Sequence, residues 1–542
     1  MQHKKTLLTL ALLATLGTLS LLSGCKQNNQ HDPNTLVRGN MAEPSTLDPA
    51  QVEDTASAGV LYDLFEGLTD FDQSDNVVPG MAKSWDVSPD GRVYTFHLRN
   101  DAKWSNGAPV TAGDFVYAWK RALDPKTASP YAFSLFPVLN AQAVNAGKMP
   151  ASSLGVKVLN DKMLQVTLEK PNPFFLAMLT DRSTYPLYQP EVEKYGKAFM
   201  QPGNYVTNGA YMLKEWVPNG YVLLTKNPYY YDAQDVKIPN VKLLPITDAS
   251  SELDQYKAGN LDVTYAVPVD QYKNLQQAYP DQLHTVQATG VYYYDFNLNK
   301  PPFKGNLKLR QALSMAVDRD TLTNEVLVQH NPPLYSLFPL SLENGVYDQF
   351  KPYSWEKLAY ADRVKQAQTL LAQAGYSSTH PLVFSISYDT NDLNKKVAMA
   401  VVSMWQRAFG NAVQVQLINE EWSVLIQDRN NGNYQMASNE WLADYNNADN
   451  FTLLLQCNNP QNVSYYCNPG YDKLVEAASD TKTPAERLKL VEQSQSLALN
   501  DYPVVPVFQF TYARLVKPYV NGYDPTNNHL DQIHDKWFYF SN

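Results

Sequence analysis

Apolar residues recur along this chain with two distinct periods. From Arg92 to Leu98 they alternate, placing Tyr94, Phe96 and Leu98 on one side of an extended backbone; from Met163 to Leu168, Leu164, Val166 and Leu168 do the same. Successive side chains of a strand point to opposite faces, so each run predicts a strand with one buried face. Thr111-Ala112-Gly113-Asp114 predicts a helix start. The threonine hydroxyl caps free amides there, and Asp114 lies where the helix dipole favours negative charge. This helix runs toward Leu123 and is stopped by Pro125.

The second half alternates more regularly. A helix from about Ala361 to Ala374 turns Val364, Ala367, Leu371 and Ala374 inward, and Gly375 ends it. Leu382, Phe384, Ile386 and Tyr388 then alternate as a strand. A helix from about Leu393 to Phe409 stops at Gly410-Asn411; Val413, Val415 and Leu417 form a strand, and Glu421 to Arg429 a further helix. Strands and helices in alternation with short links predict an α/β fold, a parallel sheet covered by helices. In such folds ligands sit where strand order reverses, or between lobes.

The N-terminus sets the compartment. His3, Lys4 and Lys5 precede an apolar run from Leu7 to Leu22, too short and too close to the terminus for an ordinary membrane span, so residues 1–24 read as a secretory signal. The run ends in Leu22-Ser23-Gly24-Cys25, which resembles a bacterial lipobox cleaved before Cys25, whose thiol would take a lipid. An ordinary signal peptide with an incidental cysteine is the competing reading. Residues 25–34 are polar and predict a flexible tether. The expected location is the periplasm or cell envelope, with the chain anchored to a membrane. No later stretch reaches membrane-spanning length.

Cleavage leaves about 518 residues, enough for two or three lobes with their own cores. Net charge is −10 and becomes −12 once Lys4 and Lys5 are lost. An acidic chain has no general attraction to nucleic acid. Besides Cys25 the sequence holds only Cys457 and Cys467, and an oxidising exported setting predicts a disulfide between them, with two free thiols as the alternative. There is no Gly-x-Ser-x-Gly elbow, phosphate loop, Gly-x-Gly-x-x-Gly or His-Glu-x-x-His motif, and no histidine pair has metal-ligand spacing on one helix. A secreted hydrolase would need a nucleophile beside a base, or a metal cluster; nothing at recognisable spacing supplies either. The chain is expected to have no catalytic residue, metal or cofactor.

Three groups of residues carry a family resemblance. The first is Ala82-Lys83-Ser84-Trp85, Asp90-Gly91, Tyr94 to Arg99, and Trp104-Ser105-Asn106-Gly107 leading to Phe115. The second is Pro302-Phe303, Leu309 to Leu313 and Ala316 to Arg319; the third is Trp441-Leu442-Ala443-Asp444-Tyr445. Together they resemble the extracellular solute-binding proteins of the peptide, nickel and haem transporter class, the third group its oligopeptide-binding members. The resemblance implies a periplasmic-binding-protein-like α/β fold of three lobes, with the ligand enclosed between two of them. Lobe I would comprise 35–65, 191–289 and 512–542, lobe II 66–190, and lobe III 290–511. It also implies a monomer that captures short peptides for an ABC-type permease in the inner membrane. A murein-peptide or dipeptide carrier is the alternative; nickel or haem carriers should show poised histidines.

Peptides of varied sequence share only a backbone and charged ends. A general receptor therefore reads the amides by strand-like hydrogen bonding and holds the ammonium with a carboxylate. Roomy, watery pockets suit variable side chains. By resemblance, Asp444 pairs with the ligand ammonium, with Trp441 and Tyr445 excluding water. Taken alone, Asp444 reads sooner as a solvated or helix-capping aspartate after a strand; the resemblance reverses that. Tyr131, Glu53, Trp422 and Arg429 fall at ligand-lining positions of the family; without it, Tyr131 reads as core or rim. Trp422 and Arg429 lie seven apart and share a helix face, core or cleft. Which of Tyr292, Tyr293 and Tyr294 faces the cleft stays open. Where relatives place basic side chains for the peptide carboxylate, this chain has Leu327, Asn394 and Ser438, leaving Arg429 as the candidate. Two cysteine positions of relatives read Gly290 and Leu442.

Overall fold

The computed structural model describes residues 32–541, apart from positions 341, 482 and 525. The signal segment and Cys25 lie outside the described residues, as does the tether up to residue 31.

The first alternating run forms strand Val93–Leu98, with Tyr94, Phe96 and Leu98 buried. It lies in an antiparallel sheet of order Ala82–Val87, Val93–Leu98, Met163–Thr167, Val156–Asn160. Helix Ala112–Ala122 begins at Thr111, which forms a capping box with Asp114. Its Phe115 and Trp119 join Phe96 and Leu164 in one core.

A second sheet ties the start of the described chain to a distant segment. Thr35–Gly39 pairs in parallel with Asn240–Leu244, and Tyr221–Lys226 and Tyr211–Val217 complete it antiparallel. Val263 bridges Arg38 on one side and Val516 on the other, so three remote stretches meet here.

The largest sheet has the order Val413–Glu420, Leu382–Asp389, Met436–Leu442, Leu283–Phe296, Val504–Leu515. Its first two junctions are parallel, as expected for strands joined through helices Asp392–Phe409 and Trp422–Asn430. The other two are antiparallel, so the expected parallel sheet holds for the strands of the strand-helix repeat and the sheet as a whole is mixed. The reason is topological: only strands linked by a crossover helix are held parallel, and Leu283–Phe296 and Val504–Leu515 enter from outside that repeat. Both strands are long. Their outer ends face each other at Leu283 and Leu515, beside a small core that holds Leu253, Tyr256, Ala513 and Leu515. Their inner ends, including Tyr292 and Phe508, belong to the large core. They therefore run from one core to the next, with a register shift between Gln287 and Val291.

Cys457 and Cys467 are joined in a disulfide just before helix Pro469–Asp480. Among the described residues no helix is long and apolar enough to cross a membrane, and no group of three or more His, Cys, Asp or Glu is placed to hold a metal ion.

Candidate ligand-binding site

Asp444 follows the strand Met436–Leu442 by two residues. The Ala443 amide still donates to Thr289 O at 2.8 Å, after which the chain leaves the sheet. Buried Asn450 fixes the departure. Its Oδ1 accepts from the Asp444 amide at 3.0 Å and from Trp441 Nε1 at 2.9 Å, and its Nδ2 donates to Asp444 Oδ2 at 3.2 Å. The Asp444 side chain is 11% exposed, so the carboxylate does not face bulk solvent.

It also has an internal cation. Arg182 Nη1 donates to Asp444 Oδ1 at 3.3 Å and to Asp181 Oδ2 at 3.1 Å. The guanidinium lies over the Tyr131 ring, 4.5 Å from its centroid, and Tyr131 stacks on Trp441 with rings 11° apart. Two carboxylates thus share one guanidinium. Burial, reinforced by Asp181, pushes the Asp444 carboxyl up to about 6 against the pull of Arg182.

A cavity of about 920 Å³ opens on this cluster, and Glu53, Tyr131, Trp422, Arg429, Trp441 and Asp444 all line it. Helix Trp422–Asn430 is capped by Glu421, which accepts from the Ser423 amide at 2.9 Å, and it presents Trp422 and Arg429 to the cavity as their spacing requires. Trp422 Nε1 and Arg429 Nε are buried without a hydrogen-bond partner among the described residues. Both oxygens of Glu53 accept from Asn430 Nδ2, at 3.0 and 3.2 Å, and burial raises its pKa. Of the three consecutive tyrosines Tyr293 lines the cavity, whereas Tyr292 stacks on Phe508 in the core.

Two details differ from the sequence expectation. Tyr445 is not in the cavity wall; it stacks on Phe174, and Tyr131 is the ring set beside Trp441. Asp444 is not a lone charge, because Arg182 reaches it from a segment 262 residues earlier. The signal for Arg182 was slight. Thr180 to Thr184 is a short polar run that reads as a surface loop, yet all five residues are buried. Asn450, six residues beyond Asp444, resembled any turn asparagine.

Leu327 is buried in the large core and Ser438 is also buried. Asn394 donates through Nδ2 to Asp389 and, at 2.7 Å, to Glu440. Gly290 and Leu442 face each other across the sheet, and a Cβ on Gly290 would lie 2.4 Å from Leu442 Cδ2. The leucine fills the space that the glycine leaves.

Residues 76–462 match the family model described as bacterial extracellular solute-binding proteins, family 5 Middle. The chain is 38% identical over 500 residues to the periplasmic oligopeptide-binding protein OppA of Escherichia coli K12, with 91% of each covered. Among solved structures it resembles Haemophilus influenzae OppA in complex with RPPGFSPFR, at a TM-score of 0.91 and 37% identity, covering 94% of this chain and 99% of that one. Against the unliganded open form of the murein tripeptide binding protein MppA, covering 94% of this chain and 98% of that one at 36% identity, the TM-score is 0.64. The arrangement is therefore that of the peptide complex rather than the open form. Sequence, fold and extent of match agree: the chain belongs to the bacterial extracellular solute-binding proteins of family 5.

Proposed function

We propose that this chain is the substrate-binding component of an ABC-type oligopeptide importer, and that its cavity receives the amino terminus of a short peptide at Asp444. The observation that carries this reading is the charge balance of the cluster around Asp444. Asp181 and Asp444 share the single guanidinium of Arg182, which leaves one buried negative charge for a ligand cation to neutralise. The partnerless Trp422 Nε1 and Arg429 Nε suit backbone carbonyls or a carboxylate of the same ligand. The relatives that match over nine-tenths of their length include proteins named as oligopeptide-binding.

The role is capture without catalysis. Lobe I (35–65, 191–289, 512–542) and lobe III (290–511) would close on the peptide, with lobe II (66–190) supplying Tyr131 and Arg182. The monomer would be held in the periplasm by a lipid on Cys25 and would deliver its cargo to an inner-membrane permease. Cys25→Ser should then release the protein from membrane fractions; retention would refute the anchor.

Calorimetry tests the site. Trialanine should bind the native protein and N-acetyl-trialanine should not. Asp444→Asn should cost the free peptide about 3–5 kcal/mol, the scale of breaking a buried charge pair. Equal binding of acetylated and free peptide would overturn the assignment.

A murein-peptide carrier is a second reading, favoured by one observation: Leu327, Asn394 and Ser438 offer no cation for an ordinary peptide carboxylate. Mass spectrometry of ligands that co-purify with the protein separates mixed peptides from a single cell-wall fragment.

A further inference from the structure

Glu440 lies in the wall of the cavity at Asp444 and also in that of a second cavity of about 720 Å³. Met41, Ile246, Val267, Phe510 and Tyr512 give the second cavity an apolar lining. Its polar lining includes Glu440 and Thr511. Glu440 Oε1 and Asp389 are bridged by the Nδ2 of Asn394, and among the described residues neither carboxylate forms an ion pair. Arg429, in the first cavity, is the cation that bears on both. Two further polar atoms are left over. Asn394 Oδ1, on a residue 1% exposed, and Thr511 Oγ1, on a residue 5% exposed and lining the second cavity, have no hydrogen-bond partner among the described residues.

The other acids of the cavity are already occupied. Glu252 accepts from the amides of Tyr265 and Ala266, at 2.7 and 3.2 Å. Asp392 is paired with Lys396 at 2.8 Å. Glu440 is thus the carboxylate available to a guest. A guest carboxylate would meet like charge there. A metal ion fits poorly, because Asn394 turns its N–H groups, not its carbonyl, to the two carboxylates.

We propose that this second cavity is a side-chain subsite for a basic group on an aliphatic stem, such as a lysine side chain of the bound peptide, with its ammonium at Glu440. The stem would lie along the apolar wall, and the ammonium donors would reach Glu440 and Thr511 Oγ1. This rests on the peptide reading above. Glu440 precedes Asp444 by four residues, roughly 13 Å of extended chain, which places the basic residue within the first four of the ligand.

The test is calorimetry on tetra-alanine peptides carrying lysine or its uncharged analogue norleucine at position two, three or four. At one of these positions lysine should bind the native protein about tenfold or more tighter than norleucine, the scale of a charge-assisted hydrogen bond. In Glu440→Gln the lysine-to-norleucine ratio at that position should fall to about one, and Thr511→Val should lower it less. If the peptides bind but lysine gains at no position, the subsite is overturned while the peptide reading stands. If none binds, both fail. The native ratio alone decides should Glu440→Gln not fold.

Discussion

Ionisation of Asp444 is opposed by burial and Asp181 and supported by Arg182. Only the ionised form attracts an ammonium, so with its carboxyl raised to about 6 the site should be fully receptive near pH 7. Below pH 6 the free protein holds a proton there that must leave on binding, and affinity for trialanine should fall by up to about tenfold per pH unit. Above about pH 8 the peptide amine itself loses its proton, so affinity passes through a maximum near neutrality. Calorimetry at pH 5, 6, 7 and 8 checks this; a constant affinity from pH 5 to 7 would contradict it. Arg182→Gln removes the cation that lowers this carboxyl, so the acidic midpoint should move upward, which no loss of packing alone would produce. Arg182 also shows why part of the site was not legible. Asp444 is singled out by the family resemblance of its segment, but its cation comes from a remote buried loop that looks solvent-exposed.

The strand Leu283–Phe296 meets the cavity strand Met436–Leu442 at Gly290, opposite Leu442. A methyl group at 290 would collide with Leu442 Cδ2 and come within 3.0 Å of Trp441 O. Gly290→Ala should therefore destabilise the protein by about 1–3 kcal/mol, the range for overpacking a filled interior. Leu442→Ala in the same chain should recover part of that loss, because it vacates the contested space. Thermal unfolding of the single and double variants measures the coupling, and additive effects would show that the two side chains do not compete. At this level the sequence was most informative where the period was sustained. Helix Asp392–Phe409 and the strand before it appear within a residue of their expected bounds, and the strand after it runs three residues further, to Glu420, because their apolar faces repeat over many residues. Strand direction was not legible. The sequence of Leu283–Phe296 carries nothing about which neighbour the strand meets or which way that neighbour runs.

At the scale of the whole molecule, polar contacts, ring stacks and shared apolar packing join residues 290–511 to the rest around the cavity. They include the Arg182–Asp444 pair, the Asn430–Glu53 hydrogen bonds, Gln461 to Pro130 O at 3.3 Å, and the Lys170–Asp480 pair. Lys170 and Asp480 are about half exposed, and surface pairs of that kind contribute about 0–1 kcal/mol. The stacks of Tyr131 on Trp441 and Phe174 on Tyr445 add modestly. A peptide that touches both sides adds its contacts in the closed form alone and shifts the population toward it. Solution X-ray scattering should thus show the ligand-free protein with a larger radius of gyration than the protein saturated with trialanine. Peptide at 100 times its Kd should add about 2.7 kcal/mol of stability. Asp444→Asn should abolish the contraction at the same peptide concentration. An equal radius with and without peptide, in a sample shown to be free of co-purified ligand, would mean that the closed arrangement needs no guest and that binding does not drive closure.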